Sequence, residues 1–150
     1  MELNAQGTAP RPRVGIGVLV ENGEGKVLLG LRKGSHGAGE WSFPGGHLEF
    51  GETVFQTAMR EVKEETDLDV SECELVSVAD EMRYIKTDNK HYLNLGVRVR
   101  YEGGEPKLME PEKCAEWRWF AKDALPERML EGTHLILRNY AAGKIYWPSK

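Results

Sequence analysis

The sequence predicts an α/β fold in which a mixed central β-sheet is sandwiched between helices. Three observations support this fold class. Apolar stretches of strand length recur along the chain, two segments with helical spacing interrupt them, and polar segments rich in glycine or proline separate the elements. A chain of 150 residues that alternates in this way can bury one sheet under helices. We therefore expect a flexible tail at residues 1–12 and a single domain over residues 13–150.

Each strand is predicted from an apolar run bounded by turn residues. Strands are expected at residues 14–20, 26–31, 75–85, 92–101 and 117–120. The polar segments between them predict turns or loops at residues 21–25, 32–40, 87–90, 102–113 and 123–126. Helical spacing predicts one helix over residues 53–66 and a last helix over residues 131–142. In the first helix, Phe55 and Val62 are expected to anchor the helix to the sheet.

Composition and charge limit the classes of function. The chain carries a formal net charge of −4, which argues against binding to a nucleic acid polymer because such binding needs a basic surface. Its two cysteines, Cys73 and Cys114, are far apart in sequence and predict reduced thiols rather than a disulfide framework or a zinc site. No stretch approaches the roughly 20 apolar residues of a membrane span, and the polar N-terminus does not resemble a signal peptide. We expect a cytoplasmic protein without a membrane segment.

The most informative stretch is residues 45–68, where a glycine-rich segment leads into a helix that carries three glutamates. Glu61, Glu64 and Glu65 stand at positions i, i+3 and i+4, so they share one face of the helix. Like charges this close repel each other, which favours a bound divalent cation over a merely solvated run of charges. Oxygen ligands suit Mg²⁺ or Mn²⁺, and Mg²⁺ usually binds a few carboxylates together with substrate phosphates.

This stretch resembles the signature of the Nudix hydrolases, G-x5-E-x7-R-E-U-x-E-E-x-G-U, in which U is a bulky apolar residue. The matching residues are Gly46, Glu52, Arg60, Glu61, Val62, Glu64, Glu65 and Leu68. Asp67 stands where the signature has its final glycine. That position is expected to end the helix in a left-handed conformation, which Asp tolerates at some cost. The order of the elements also fits the Nudix-type α/β/α sandwich over most of the chain.

The resemblance implies a metal-dependent hydrolysis. In that reading Glu61 and Glu65 are the principal ligands of Mg²⁺, for which Mn²⁺ can substitute. Glu64 is a further or water-mediated ligand, and the backbone carbonyl of Gly45 joins them. Water would attack a phosphorus of a diphosphate bridge, while the metal neutralises phosphate oxygens and lowers the pKa of a bound water.

Other signature residues are expected to position this site. Arg60 and Glu52 should form a bidentate pair that fixes the helix against the preceding loop, an arrangement that lysine would not reproduce. Residues 44–46 (Pro-Gly-Gly) predict a tight turn whose backbone, at Gly46 above all, can closely approach oxygen atoms of the substrate.

The general base is left open by the sequence. One carboxylate must accept the proton of the attacking water, and family members use either a signature glutamate or a carboxylate from a later loop. Residues 109–113 form such a loop ahead of the last predicted strand. We prefer Glu112 over Glu110 and Glu116 as base and additional metal ligand; the alternative is a solvated acidic loop.

Further residues are candidates for substrate binding, each with a structural alternative. His47 could reach the phosphates or the leaving group, or could be a structural histidine. Arg32 and Lys33 could contact phosphate or simply be exposed, and Arg138 could line the pocket or be a surface charge. An aromatic ring could stack on a nucleobase, although core packing explains most tryptophans; the candidates are Trp41, Trp117, Trp119 and Trp147.

The signature indicates the bond that is cleaved but not the substrate. Three segments, residues 29–35, 44–52 and 109–113, resemble a subgroup that includes MutT-like nucleoside triphosphate pyrophosphatases acting on 8-oxo-dGTP and plant members acting on prenyl diphosphates. We therefore predict a nucleoside triphosphate pyrophosphohydrolase that releases the monophosphate and pyrophosphate, and, as in many subgroup members, a homodimer. One alternative is a diphosphatase for a nucleotide sugar, ADP-ribose or a prenyl diphosphate. Another is a catalytically silent module that binds nucleotide or a protein, although silent members typically lose signature carboxylates.

Overall fold

The computed structural model describes Leu3, Gly7 and residues 9–34 and 36–148. The strands in these ranges are β1 (Arg13–Glu21), β2 (Val27–Arg32), β3 (Trp41–Ser42), β4 (Gly45–His47), β5 (Val70–Glu81), β6 (Tyr92–Tyr101) and β7 (Cys114–Phe120). The helices are α1 (Val54–Thr66), α2 (Ile85–Asp88) and α3 (Glu131–Ala142). Half of the predicted tail, residues 1, 2, 4–6 and 8, lies outside the described residues. No helix in the described part of the chain has the length and hydropathy needed to cross a membrane.

All the described strands belong to one mixed sheet. The main path runs β3-β2-β1-β6-β5, with β4 paired to β1 and β7 paired to β2. The β1–β6 pair is parallel, whereas the other strand pairs are antiparallel. On its other edge β1 changes partner along its length: Gly15–Gly17 pair with β4, and Glu21 pairs with Val27 of β2. This change of partner brings β4 beside the middle of the sheet.

The two long helices cover opposite faces of the sheet. Successive side chains of a strand point to opposite faces, and in β1 Val18 packs in one buried cluster with Ala58 and Val62 of α1. Leu19, the next residue, packs in a second cluster with Ile136 of α3. Full burial of each such aliphatic side chain contributes about 1.5–3 kcal/mol. The predicted fold class, a mixed sheet between helices, is confirmed.

The largest difference from the predicted elements concerns β5 and the helix after it, while β7 begins at Cys114 rather than at residue 117. The strand expected at residues 75–85 is β5, which begins at Val70 and ends at Glu81, and α2 follows it. Irregular pairing with β6 and a positive φ of 49° at Glu72 interrupt the alternation of inward and outward side chains along β5. The first residues of β5 therefore show no alternation of apolar and polar residues from which a strand could be predicted. Beyond its end the chain turns inward at Tyr84, which is buried and whose hydroxyl accepts a hydrogen bond from the backbone of Glu131 at 3.1 Å.

Two local expectations were wrong. The turn predicted at residues 44–46 is largely strand β4, because its backbone pairs with Gly15–Gly17 and this pairing overrides the turn preference of glycine. Phe55 is exposed rather than anchored, whereas Val62 is fully buried as expected. The segment expected to approach a ligand as a tight turn is therefore held inside the sheet.

Both ends of α1 are fixed locally. Thr53 and Gln56 form a capping box, in which each side chain accepts a hydrogen bond from the backbone N–H of the other, at 3.2 and 2.9 Å. Asp67 ends the helix with φ of 59°, as expected for the position where the signature has glycine. Its carboxylate pairs with Lys63 at 3.2 Å and Lys107 at 3.1 Å, and hydrogen bonds from Lys107 and Lys63 lower its pKa.

Substituting Asp67 should separate backbone strain from charge. Asp67→Ala should lower the free energy of unfolding by about 1 kcal/mol, because alanine is disfavoured at positive φ and also lacks the ion pairs. Asp67→Gly should change it by less than about 0.5 kcal/mol, since glycine removes the strain but also frees the unfolded chain. Urea unfolding gives both values. The matched control is Asp69→Ala, which removes an exposed ion pair to the same Lys63; an equal loss in Asp67→Ala and this control would contradict the backbone argument.

Candidate active site

A cavity of about 680 Å³ opens beside β4 and is lined by α1, the middle of β1, the loop before β7 and the start of α3. Most of the residues singled out in the sequence lie on its wall: Arg32, Lys33, Gly45, Gly46, His47, Arg60, Glu61, Glu64 and Glu65. The fold thus brings the glycine-rich segment, the three glutamates and the basic pair to one cleft.

Arg60 is the centre of the charged network. Its Nε and Nη2 donate to the two oxygens of Glu52 at 2.7 and 2.9 Å, which is the expected bidentate pair. Its Nη1 donates to Glu61 at 2.9 Å and to Glu64 at 3.2 Å. The hydrogen bond from Arg60 lowers the pKa of Glu52 to about 2, and that to Glu52 raises the pKa of Arg60 in turn. One guanidinium therefore orients three carboxylates.

Glu61 and Glu65 form a close acidic pair between α1 and β4. Burial raises the pKa of both, and the charge of Glu61 raises that of Glu65 further. The Glu65 carboxylate also accepts a hydrogen bond from the backbone N–H of Gly45 at 3.2 Å. Besides the charge of Arg60, the pair needs a further positive charge for both carboxylates to be ionised; without a bound cation, one of them holds a proton. As they stand, no three Asp, Glu, His or Cys side chains in the described ranges are grouped so that they could hold a metal ion together.

Neighbouring glycines of β4 permit this close packing for different reasons. A Cβ atom on Gly46 would overlap the carboxylate of Glu61. A Cβ atom on Gly45 would overlap the backbone carbonyl oxygen of Ile16 in β1. Gly46 therefore makes room for a side chain of the site, whereas Gly45 makes room for the sheet itself.

The basic pair lies at the cavity wall but is partly occupied by backbone contacts. Arg32 Nε donates to the carbonyl oxygen of His36 at 3.2 Å, and Lys33 Nζ donates to that of Pro111 at 2.9 Å. These bonds leave further N–H donors on both side chains. The pair can therefore present positive charge to an anionic ligand, while Lys33 also joins its own loop to the loop before β7.

Among the aromatic candidates, His47 and Trp117 line the cavity. The His47 ring stacks on Tyr92, with centroids 5.4 Å apart, and desolvation followed by the charges of Arg13 and Lys90 lowers its pKa. Trp41, Trp119 and Trp147 instead contact neighbouring aromatic or cationic side chains. A neutral histidine at the mouth can donate or accept a hydrogen bond without adding charge.

The preference for Glu112 stays a prediction, but this residue does not line the cavity. Glu112 is exposed, whereas Glu110 is half-buried and lines the cavity. The chain makes a turn here, with the N–H of Lys113 bonded to the carbonyl of Glu110 at 2.9 Å, so Glu112 lies on its solvent side. The charge of Glu110 contributes to the raised pKa of Glu65. Glu116 pairs with Arg118 at 2.9 Å.

Arg138, a candidate for substrate binding, does not line the cavity either. Its guanidinium donates to the Asn139 side chain at 2.9 Å and to the carbonyl of Trp147 at 3.1 Å, and it lies over the Trp147 ring, 5.2 Å from the centroid. These contacts fasten the segment after α3 to the helix. The alternative of a structural surface charge describes Arg138 better than substrate binding.

The cavity also holds buried polar side chains that the sequence reasoning missed. Glu81 is 4% exposed and Asn94 is 8% exposed, and Asn94 Nδ2 donates to Glu81 at 3.4 Å. Burial and then the charge of Glu131 raise the pKa of Glu81 to about 7, against a backbone hydrogen bond from Gly132. The sequence held one indication of this: Glu81 lies two residues after Ala79 in the strand, so both side chains point to the same buried face, where an acid is unusual.

Comparison with known proteins agrees with this geometry. The NUDIX domain family matches residues 11–140. An oxidized purine nucleoside triphosphate hydrolase of Danio rerio is 34% identical over 104 residues, which cover 68% of this chain and 62% of that protein. An NAD-capped RNA hydrolase NudC of Stutzerimonas stutzeri is 33% identical over 138 residues, 88% of this chain and 46% of that one.

Solved structures share the whole fold. The crystal structure of a MutT NUDIX hydrolase from Burkholderia pseudomallei superposes with a TM-score of 0.80 at 30% identity, covering 87% of this chain and 98% of that one. The chain nevertheless spans about half the length of the NudC relatives it matches. The resemblance to the Nudix family noted in the sequence is confirmed.

Replacing Glu81 with glutamine should stabilise the protein at alkaline pH. A carboxyl whose pKa rises from 4.5 to about 7 on folding stabilises the fold while protonated, and this contribution is lost as pH rises through about 7. Relative to the unmodified chain, Glu81→Gln should therefore gain up to about 3 kcal/mol in free energy of unfolding on going from pH 4.5 to pH 8. Urea unfolding across this range measures the difference. The control is Glu74→Gln, at an exposed position of the same strand; the same pH-dependent gain in both variants would refute the burial argument.

Proposed function

This chain belongs to the NUDIX family, and we propose that it is a magnesium-dependent pyrophosphohydrolase that cleaves a nucleoside triphosphate to the monophosphate and pyrophosphate. The observation that carries the proposal is the acidic pair Glu61 and Glu65, held against Gly46 by Arg60 in a cleft that also presents two basic side chains. Stability alone does not account for two carboxylates buried side by side.

A divalent cation fits the donors at this pair. Nudix hydrolases generally use divalent metal ions, and the groups here are oxygen donors, which suit hard cations. Glu61 and Glu65 would supply two carboxylates, a number typical of Mg²⁺ bound jointly with substrate phosphates. Mn²⁺ can replace it, and Glu64 and the carbonyl of Gly45 are the further donors we propose. A bound cation would polarise phosphate oxygens and lower the pKa of a coordinated water.

The remaining site residues bind the substrate phosphates or position the glutamates. Arg60 keeps the glutamates oriented through its bonds to Glu52 on one side and to Glu61 on the other. Arg32 and Lys33 offer positive charge to the phosphates. The proton of the attacking water passes to a carboxylate, either a signature glutamate or, in place of Glu112, Glu110 of the later loop. Glu110 meets the first requirement of such a base because it lies inside the cleft.

Three further features stay predictions. We propose a small-molecule substrate rather than an RNA, on the basis of the net charge of −4, although a relative is named as a hydrolase of NAD-capped RNA. A homodimer is proposed from the resemblance to the MutT-like subgroup, and a cytoplasmic location from the two cysteines, which predict reduced thiols. Size-exclusion chromatography with light scattering tests the dimer directly.

Phosphate release over a panel of substrates tests the function. The panel holds the common nucleoside triphosphates, 8-oxo-dGTP, ADP-ribose, a nucleotide sugar and geranyl diphosphate, each with and without Mg²⁺. Magnesium-dependent signal on triphosphates only when inorganic pyrophosphatase is added is the expected result. Glu65→Gln should lower turnover at least about a hundredfold, while Glu112→Gln, at an exposed position, should retain it. Hydrolysis of another diphosphate but of no triphosphate would contradict the proposed substrate and keep the hydrolase function. No hydrolysis of any compound in the panel would favour a module that only binds its ligand.

The two glycines of β4 should respond in opposite ways to alanine. Gly46→Ala should leave the free energy of unfolding within about 1 kcal/mol, because the atom it would strike is the end of a flexible side chain. It should nevertheless weaken Mn²⁺ binding and turnover at least about tenfold by displacing Glu61. Gly45→Ala should instead destabilise by more than about 2 kcal/mol, because its Cβ meets backbone. Urea unfolding and calorimetric titration with Mn²⁺ distinguish the two; unchanged Mn²⁺ affinity in Gly46→Ala would remove Glu61 from the proposed metal site.

A further inference from the structure

We propose that Glu81 and Asn94 form the subsite that selects the organic group of the substrate, and that they select a nucleobase edge with adjacent N–H donors, as guanine has. The proposal rests on the proposed function for the position of the phosphates, and adds to it which base is preferred. Its basis is a pair of buried acceptors in the same cleft as the acidic pair.

The subsite is rich in acceptors that lack donors. A carboxylate can accept about four hydrogen bonds, and Glu81 receives one from Asn94 Nδ2 and one from the backbone of Gly132. Asn94 Oδ1 is buried and has no hydrogen-bond partner in the described part of the chain. Buried acceptors without donors cost free energy, so the complementary ligand is one that brings donors with it.

Glycines keep this subsite open and close to α3. A Cβ on Gly132 would lie 2.7 Å from Asn94 Nδ2 and 3.3 Å from Glu81 Oε2. A Cβ on Gly15, in the neighbouring strand, would lie 3.5 Å from Asn94 Nδ2. The absence of side chains at both positions lets the polar groups face the cavity instead of being covered.

The strand register places the subsite at the right distance from the phosphates. Gly15 of β1 is paired with His47 of β4 on one side and with Asn94 of β6 on the other. Asn94 is therefore two strand spacings, about 10 Å, from β4, where Gly46 meets Glu61. A substrate whose anhydride lies at Glu61 would reach Asn94 and Glu81 with the group at its other end.

The chemistry of the acceptors distinguishes among organic groups. Guanine presents N1–H and the 2-amino group side by side, which matches a carboxylate as arginine does. A prenyl chain presents no donors and would leave Asn94 Oδ1 and the remaining acceptor positions of Glu81 without partners. Adenine presents one donor and one acceptor on that edge and would need a protonated Glu81. With the hydrogen bonds from Asn94 and Gly132 already made, burial still holds the pKa of Glu81 at about 7, and two further donors from guanine would favour its ionised form.

The test compares dGTP with dITP, which differ only in the 2-amino group. Wild-type kcat/KM should favour dGTP by at least about tenfold, and Glu81→Gln should reduce that ratio to within about threefold of unity. Glu74→Gln, on the same strand, should keep the wild-type ratio. Equal rates for dGTP and dITP in the wild type would overturn the proposal, as would a preference for dATP that grows below pH 7 and disappears in Glu81→Gln.

A second measurement separates this proposal from the proposed function. Calorimetric binding of dGMP and dIMP to the metal-free protein requires no turnover. Tighter binding of dGMP, by at least about tenfold and abolished in Glu81→Gln, would support the subsite even if no triphosphate were hydrolysed. Hydrolysis of triphosphates without any difference between dGMP and dIMP would leave the enzyme function standing and remove Glu81 and Asn94 from base selection.

Discussion

The Arg60 guanidinium is the contact on which the rest of the site depends. It binds Glu52, which precedes α1, and Glu61 and Glu64, which lie on it, so one side chain joins the entry loop of the helix to its acidic face. Arginine can make these bonds simultaneously because its donors point in several fixed directions. Without this charge, the acids beside β4 would repel one another and turn outward to solvent.

The backbone of β4 imposes the complementary constraint. Glycines at 45 and 46 let the strand lie against both the β1 carbonyl of Ile16 and the Glu61 carboxylate, closer than any other residue type permits. The missing side chains of β4 thus leave room for the charged Glu61 side chain of α1 to lie against the strand. The consequence is a site whose two principal carboxylates are half removed from water before any ligand arrives, which strengthens their attraction for a cation.

Local features of this site could be predicted from the sequence, and contacts between distant segments could not. The spacing of Glu61 and Glu65 fixes them to one face of α1, and the alternation in residues 92–101 is that of a regular strand. Glu110 and Glu112 are both acidic residues of one loop, and only the fold decides which enters the cleft. Glu81 was missed because the predicted strand ran on to residue 85, and only the fold shows that the strand ends at Glu81 with this side chain buried.

Each end of the cleft contains a buried carboxylate, Glu61 at one end and Glu81 at the other, but the two carboxylates favour ligand groups of opposite character. At Glu61 a carboxylate is buried beside other carboxylates, so negative charge is in excess there. An anionic phosphate could bind beside these carboxylates only if a cation lay between them. At Glu81 a carboxylate is buried beside neutral donors and an unpaired amide oxygen, a surplus of acceptors that calls for N–H groups. Under the proposed function, an acidic protein would hold an anionic nucleotide without a basic surface, because a metal ion would neutralise one end of the ligand and the base would donate to the acceptors at the other. Selectivity among ligands would then follow from the free-energy cost of leaving the buried groups at either end without a binding partner.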